Sequence, residues 1–283
     1  MRFVPYVLAS DPSVMAGEVY GRCDREQSCG YIRYPYLDRD EIESNPLLYT
    51  KSEPVEDKRE IMTYKPVFKP LRCSNTLYMA FSFILPPKAL AEACKRYHVG
   101  TGGKGECIYY QFDGARVRTA KAISYDRSGH RLKGDNGDTL PVWWMHKAPS
   151  FTFDEKQFRI KQCFFGQHLL DRYPAYQVWL VEGEKTAVLM TATDIAEGRD
   201  GRIWLACGGS QMLKGAIDFE CLKDRNVTLV PDDGQYWNWN RTAKQHGWTC
   251  IDIADLVIDA NIPVGSDIWD LTERRITLSK TSR

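Results

Sequence analysis

Apolar residues in this chain gather into short runs, each followed within two residues by an acid or a glycine. Val178-Trp-Leu-Val181 runs into Glu182-Gly183, Ile203-Trp-Leu-Ala206 into Cys207-Gly-Gly-Ser210, and Val227-Thr-Leu-Val230 into Pro231-Asp-Asp-Gly234. Runs that do not alternate with polar residues suit strands covered on both faces, as in a parallel sheet. Thr249-Cys-Ile-Asp-Ile253 is a fourth candidate strand. Helical stretches separate the runs, the clearest from Glu184 to Thr193, so the alternation predicts βαβ units and a parallel sheet. Glu182, the pair Gly208 and Gly209, and the pair Asp232 and Asp233 then lie along one edge, at the carboxyl ends of strands, where open α/β sheets bind ligands. A lone carboxylate there often only caps the next helix. Several on one rim are what magnesium needs, since it takes one or two carboxylates together with water and phosphate.

Upstream the pattern changes. Leu77, Phe81, Ile84 and Leu85 make a helix-like face that Pro86-Pro87 interrupts, and Lys88 to Tyr97 resumes it with Leu90, Cys94 and Tyr97 on one side. Val99 to Gly105 is glycine-rich like a phosphate loop, but no Ser or Thr follows Lys104 and a strand rather than a helix comes next, so it reads as a flexible turn. Cys107 to Phe112, Arg116 to Tyr125 and Leu140 to Met145, joined at Asp113-Gly114 and Ser128-Gly129, predict a β-meander. Residues 38–70 mix charge with four prolines and read as a linker.

Composition narrows the class. A length of 283 residues suits about two domains, no apolar stretch is long enough to cross a membrane, and the first residues lack a signal-peptide pattern. The nine cysteines are scattered and read as reduced cytoplasmic thiols. A net charge of +1 offers no global attraction for nucleic acid, so any such contact needs a local patch. One candidate lies on the meander, where Arg116 and Arg118 are expected to share a strand face and Arg127, His130, Arg131 and Lys133 crowd the following turn. With Tyr109, Tyr125, Trp143 and Trp144 nearby, this combines cations with stacking surfaces as single-strand binders do; a half-buried sheet with a solvated face has the same pattern. Lys185, in the first turn after Glu182, is either placed to reach a phosphate or an ordinary surface lysine. Gly183, Gly208, Gly209 and Gly234 are the loop positions where a phosphate would approach the backbone.

LVEGEKTA, WLACGG and LVPDDG, in that order, resemble the three motifs of the Toprim domain shared by bacterial-type primases, topoisomerases and related nucleases. The resemblance spans about residues 176–275 and implies an α/β, Toprim-like domain with a Rossmann-like parallel sheet over 166–283. It implies that Glu182 is a general acid/base and that the last motif, an Asp-x-Asp pair in the family, holds magnesium. Asp232 matches the first Asp of that pair, whereas Gly234 stands in place of the second and Asp233 comes one residue early. Gly265-Ser-Asp-Ile-Trp-Asp270 resembles the Asp-rich stretch that follows Toprim in primases, so Asp267 is an outer ligand or an N-cap. Asp232, Asp233 and Asp267 are thus the magnesium candidates. No tyrosine can be assigned as a topoisomerase-type nucleophile.

The segment 71–165, read as a small α+β module carrying the meander, resembles the one preceding Toprim in primase-like proteins of bacterial mobile elements. Residues 1–37, with Cys23 and Cys29 between Val19 and Tyr31, resemble the second half of the zinc-ribbon module at the start of that family. The cysteines are five residues apart by intervening count, longer than the usual two to four, and a closed zinc site needs four ligands. Cys94 and His98, four apart on an expected helix, are candidates for the others; alternatively the cysteines are small buried hydrophobes. The resemblance implies a primase-like protein in replication or transfer of a mobile element, with magnesium-dependent phosphoryl or nucleotidyl transfer on single-stranded DNA and a replication helicase or other mobile-element protein as partner. Two alternatives stand beside it: a catalytically degenerate Toprim module that binds single-stranded DNA or a replication partner, which Gly234 favours, and a nuclease of the overcoming-lysogenisation type.

Overall fold

The computed structural model describes residues 59–64, 69–134, 136–149, 151–209 and 217–281, together with three short strands among the first 58 residues. The chain divides into two compact units, Met1–Lys58 and Arg59–Arg283. In the first, β1 (Phe3–Pro5), β2 (Gly21–Cys23) and β3 (Ile32–Arg33) form an antiparallel sheet in that order, with Phe3 opposite Cys23. Cys29 lies outside the described residues.

The second unit begins with β4 (Glu60–Ile61), inside the stretch expected to be a linker, and it pairs in parallel with β9 (Phe158–Arg159). Helix α1 (Thr76–Phe81) starts where Asn75 accepts the backbone N–H groups of Leu77 and Tyr78, satisfying two orphan donors of the first turn. Helix α2 (Pro87–Arg96) starts on a proline, whose missing N–H costs nothing there. The meander follows as β5 (Gly100–Thr101), β6 (Cys107–Asp113), β7 (Arg116–Ile123) and β8 (Trp143–Trp144), an antiparallel sheet in sequence order.

After α3 (Leu169–Arg172) comes the parallel sheet. It contains β10 (Gln177–Val181), β11 (Arg202–Ala206), β12 (Val227–Leu229) and β13 (Thr249–Cys250), with α4 (Glu184–Ala196), α5 (Tyr236–His246), α6 (Ala254–Asp259) and α7 (Ile268–Thr281). All three pairings are parallel and the order is β11-β10-β12-β13. The chain steps from β10 to one side, then crosses back to the other, so the order reverses between β10 and β12. The carboxyl ends of those two strands flank the crevice in which such sheets bind ligands.

The meander and the parallel sheet share one hydrophobic core. Helix α4 is buried on nearly every side, because it lies on the sheet while α2 and α7 cover it. The Tyr97 hydroxyl, just beyond α2, donates to the Trp204 carbonyl at 2.5 Å and meets the Thr191 hydroxyl at 2.9 Å. Phe165 exchanges two backbone hydrogen bonds with Ala206, extending the sheet beyond β11. These contacts hold the two sheets against each other and place the Lys121 side of β7 over the ends of β10 and β11. Among the described residues no helix is long and apolar enough to cross a membrane.

Candidate functional site

Val181 and Val230 are the last apolar residues of their runs, and both are fully buried. The chain therefore emerges from the sheet at Glu182 just after β10 and at Asp232 after β12, which are adjacent strands. A cavity of about 290 Å3 opens there, and Glu182, Asp232 and Asp267 all line it. Its opposite wall comes from the meander: Lys121 and Ile123 of β7, Tyr125, and the turn carrying Gly129, His130 and Arg131. Gly183, Gly208 and Gly209 contribute backbone. At Gly208, φ is +85° and a Cβ would sit 3.3 Å from Glu184 Oε1, so only glycine brings the backbone that close without strain.

Glu182 does not cap α4, whose N-cap is Gly183. Its Oε1 is buried without a hydrogen-bond partner. Burial pushes the carboxyl up to about 7, partly offset by the nearby Asp232 backbone amide and reinforced by the charge of Asp267. Asp232 is pushed up to about 8, by burial first and then by Glu182, Asp267 and Asp270, with Lys185 working the other way. Burial and Asp267 likewise raise Asp270. These acids repel one another in a poorly solvated place, which is the electrostatic condition that a bound cation relieves.

Lys185 answers part of that charge, while Lys121 is paired with Glu184. The Lys121 Nζ lies 2.6 Å from Glu184 Oε2 and 3.4 Å from the Gly208 carbonyl, with the Trp144 ring centroid at 5.5 Å. Sequence reading missed both Lys121 and Glu184. A lysine alternating with apolar neighbours along a strand reads as solvated, and only the sheet packed above reveals its partner. Lys185 is half-buried, 5.8 Å from the Phe81 ring centroid, and donates to the Gly129 carbonyl at 3.5 Å, so it lines the cavity instead of standing in solvent.

Several other expected site residues are placed differently. The Asp233 carboxylate accepts the Gly265 N–H at 3.0 Å and its own N–H donates to the Ser266 carbonyl, so Asp233 pins the 263–266 loop and does not line the cavity. Asp267 caps α7 by accepting the N–H groups of Trp269 and Asp270, while its other oxygen accepts from the Thr186 hydroxyl at 2.5 Å. Gly234 has φ +83° with no atom near a would-be Cβ, so the backbone itself selects glycine. Among the described residues, no three His, Cys, Asp or Glu side chains form a ready-made metal cage.

Arg116 and Arg118 do not share a face. Gln111 pairs with Thr119 and Phe112 with Val117, which leaves Arg118 as the extra residue of a β-bulge. Arg118 is buried against Asp113 at 2.7 Å, and Arg116 binds Thr63. Arg127 is exposed on the turn and does not line the cavity, whereas Arg131 does. Tyr109 and Tyr125 are buried and joined through their hydroxyls at 2.9 Å, so neither offers a stacking face.

Cys94 is wholly buried in the core of the second unit, and burial pushes its thiol up to about 12. Helix α2 ends at Arg96, and His98, at φ +52°, packs on Phe112 and His168, so the expected helical pairing of Cys94 with His98 does not form. After the acidic turn, Trp239 is buried against the sheet while Trp237 is 77% exposed, as opposite faces of α5 require.

The family model described as "Domain of unknown function (DUF6371)" matches residues 75–233, a span running from the Asn75 cap through Lys121 and Glu182 to the Asp232-Asp233 turn. No curated protein matches the chain. Among solved structures, the primase fragment of the bacteriophage T7 primase-helicase protein matches with 14% identity over 79% of this chain and 80% of that one, at a TM-score of 0.30.

Proposed function

The chain belongs to the DUF6371 family, and we propose that it is a Toprim-like, primase-like protein acting in replication or transfer of a mobile element, with magnesium-dependent phosphoryl or nucleotidyl transfer on single-stranded DNA. One observation carries the reading: Glu182 and Asp232 end adjacent parallel strands at the reversal of strand order and line one cavity, which Lys121 and Lys185 also line. Carboxylates facing cations across a cleft suit a phosphate that must be held together with a hard cation.

The donor set fits magnesium as a two-carboxylate site completed by water and phosphate. Asp232 and Glu182 would hold it, and the unpartnered Glu182 Oε1 is the atom with a vacant acceptor. Bound there, magnesium supplies Lewis-acid neutralisation of phosphate charge. The protein's own groups do the remainder. The Glu182 oxygen left free of the ion would take a proton from an attacking hydroxyl. Lys185 would offset the phosphate oxygens, and the Gly208-Gly209 turn would let the backbone approach them.

A second reading, a Toprim-shaped module that binds DNA or a replication partner without catalysis, is favoured by Gly234 and by Asp233 being committed to the 263–266 loop. Titration of the protein with magnesium by calorimetry, followed by primer synthesis on a single-stranded template, separates the two. Saturable binding abolished by Glu182→Gln with Asp232→Asn, and primers made only by the parent protein, support the enzyme. Retained affinity for single-stranded DNA without magnesium binding or primers supports the module. Failure of DNA affinity as well would sink both.

A further inference from the structure

On the other face of the antiparallel sheet lies a second cavity, of about 610 Å3. Ile108, Tyr110, Ala120 and Ala122 form its apolar floor, and Tyr64 and Trp143 stand in its wall. The size and apolar lining are those of a site for a compact ring system. Trp143 is half-exposed at 49% although it belongs to a strand, a large ring held at the edge of a sheet with one side open.

Successive strand residues point to opposite faces, and β8 is the edge of its sheet. Trp144 accordingly lies over Lys121 on the carboxylate side, and Trp143 lines the second cavity. Arg131 and Ile123 line both cavities, so one cationic wall separates them. Lys69 adds a second cation, and the acid among the lining residues, Glu106, is engaged by the Lys104 backbone N–H at 2.8 Å. The Tyr64 hydroxyl is buried without a hydrogen-bond partner. An unpaired buried hydroxyl is costly, and the polar edge of a heterocycle is the kind of group that would satisfy it.

We propose that this second cavity takes an unpaired base of the same DNA strand whose phosphate lies at the carboxylate cavity, the base stacking on Trp143 and the backbone passing over Arg131. The inference rests on the phosphate-site reading above. The shared wall ties the two cavities to one chain-like ligand; the apolar floor excludes its phosphates, and the rings accept its bases. Stacking tolerates any base, so the site confers affinity and register without reading sequence.

Fluorescence anisotropy with the full chain and a labelled short oligothymidylate tests it, across a salt series. Trp143→Ala weakens binding about tenfold or more while leaving the salt dependence unchanged, because no phosphate contact is lost. Trp143→Phe restores most of the affinity, and Tyr64→Phe, which removes only the hydroxyl, weakens it severalfold. On an abasic strand of equal length, parent and variants bind alike. The proposal is overturned if Trp143→Ala binds within twofold of the parent, or if the loss is as large on the abasic strand. In those cases the parent still binds DNA and the carboxylate-site reading survives. If the parent shows no salt-dependent DNA binding at all, both readings fall together.

Discussion

Lys121 Nζ and Glu184 Oε2 lie 2.6 Å apart, with the two side chains only 4% and 3% exposed. This ion pair joins β7 of the antiparallel sheet to the first residue of α4 above the parallel sheet. It fixes the two walls of the carboxylate cavity relative to each other. Glu184 Oε1 has no hydrogen-bond partner, so the pair is not fully satisfied by protein alone.

Removing one partner leaves a buried charge, which costs about 3–5 kcal/mol, whereas replacing both with apolar residues is far milder. Lys121→Met is expected to lower urea-unfolding stability by that amount, and Lys121→Met with Glu184→Leu to recover most of it. A double-mutant cycle measured at fixed pH checks the coupling. Equal losses in single and double variants would show that the pair does not hold the walls together.

Stability should also fall as pH rises. Glu182 and Asp232 carry carboxyls pushed up to about 7 and about 8. In the unfolded chain both groups lose their protons near pH 4, so between about pH 4 and 8 the folded state holds more protons. Its stability is then greatest at the acid end of that window and declines, by an amount on the order of a few kcal/mol, towards the alkaline end. Thermal unfolding over this range in chelator should show the decline, and Glu182→Gln with Asp232→Asn should flatten it. On the proposed magnesium reading, the ion should raise the melting temperature more at pH 8 than at pH 6, since the ionised carboxylates would be its ligands.

Gly234→Asp supplies the second acid of the Asp-x-Asp pattern that the sequence resembles but meets a backbone at φ +83°. Left-handed conformations cost an L-residue about 1–2 kcal/mol, with Asp at the low end. The variant is expected to lose about 1 kcal/mol and to gain no magnesium affinity, because the turn places position 234 outside the cavity lining. Chemical denaturation and calorimetry read the two effects separately. Tighter magnesium binding in this variant would show that the turn reshapes readily.

Arg118 is clamped by Asp113 and donates to the Gln162 carbonyl, so its charge is spent within the protein. Arg118→Ala should lower stability by roughly 1–3 kcal/mol and leave the salt dependence of DNA binding unaltered. Arg131→Ala, at the wall shared by both cavities, should reduce the slope of log affinity against log salt by about one phosphate contact. An unchanged slope for Arg131→Ala would remove that residue from the DNA path.

How much of this was legible from residue order depends on the range of the interaction involved. The largely apolar runs ending at Val181, Ala206 and Val230 report burial on both faces, a property of each strand alone, and they locate Glu182 and Asp232 at strand ends. The breaks at Pro86-Pro87, Asp113-Gly114 and Ser128-Gly129 are local backbone chemistry, and the elements between them form where the pattern puts them. The pairing of Arg116 with Arg118 failed because a single bulge resets the strand's alternation, and a bulge is decided by the partner strand. Lys121, Glu184 and Tyr64 carried no local signal. Lys121 and Glu184 are polar on elements that read as apolar or solvated, Tyr64 lies in the stretch read as a linker, and the role of each comes from residues far along the chain that only packing brings within reach. Local pattern determines which residues end each strand; the fold alone decides which of those ends face a buried lysine across a cavity, because charge pairing and burial depend on distance in space.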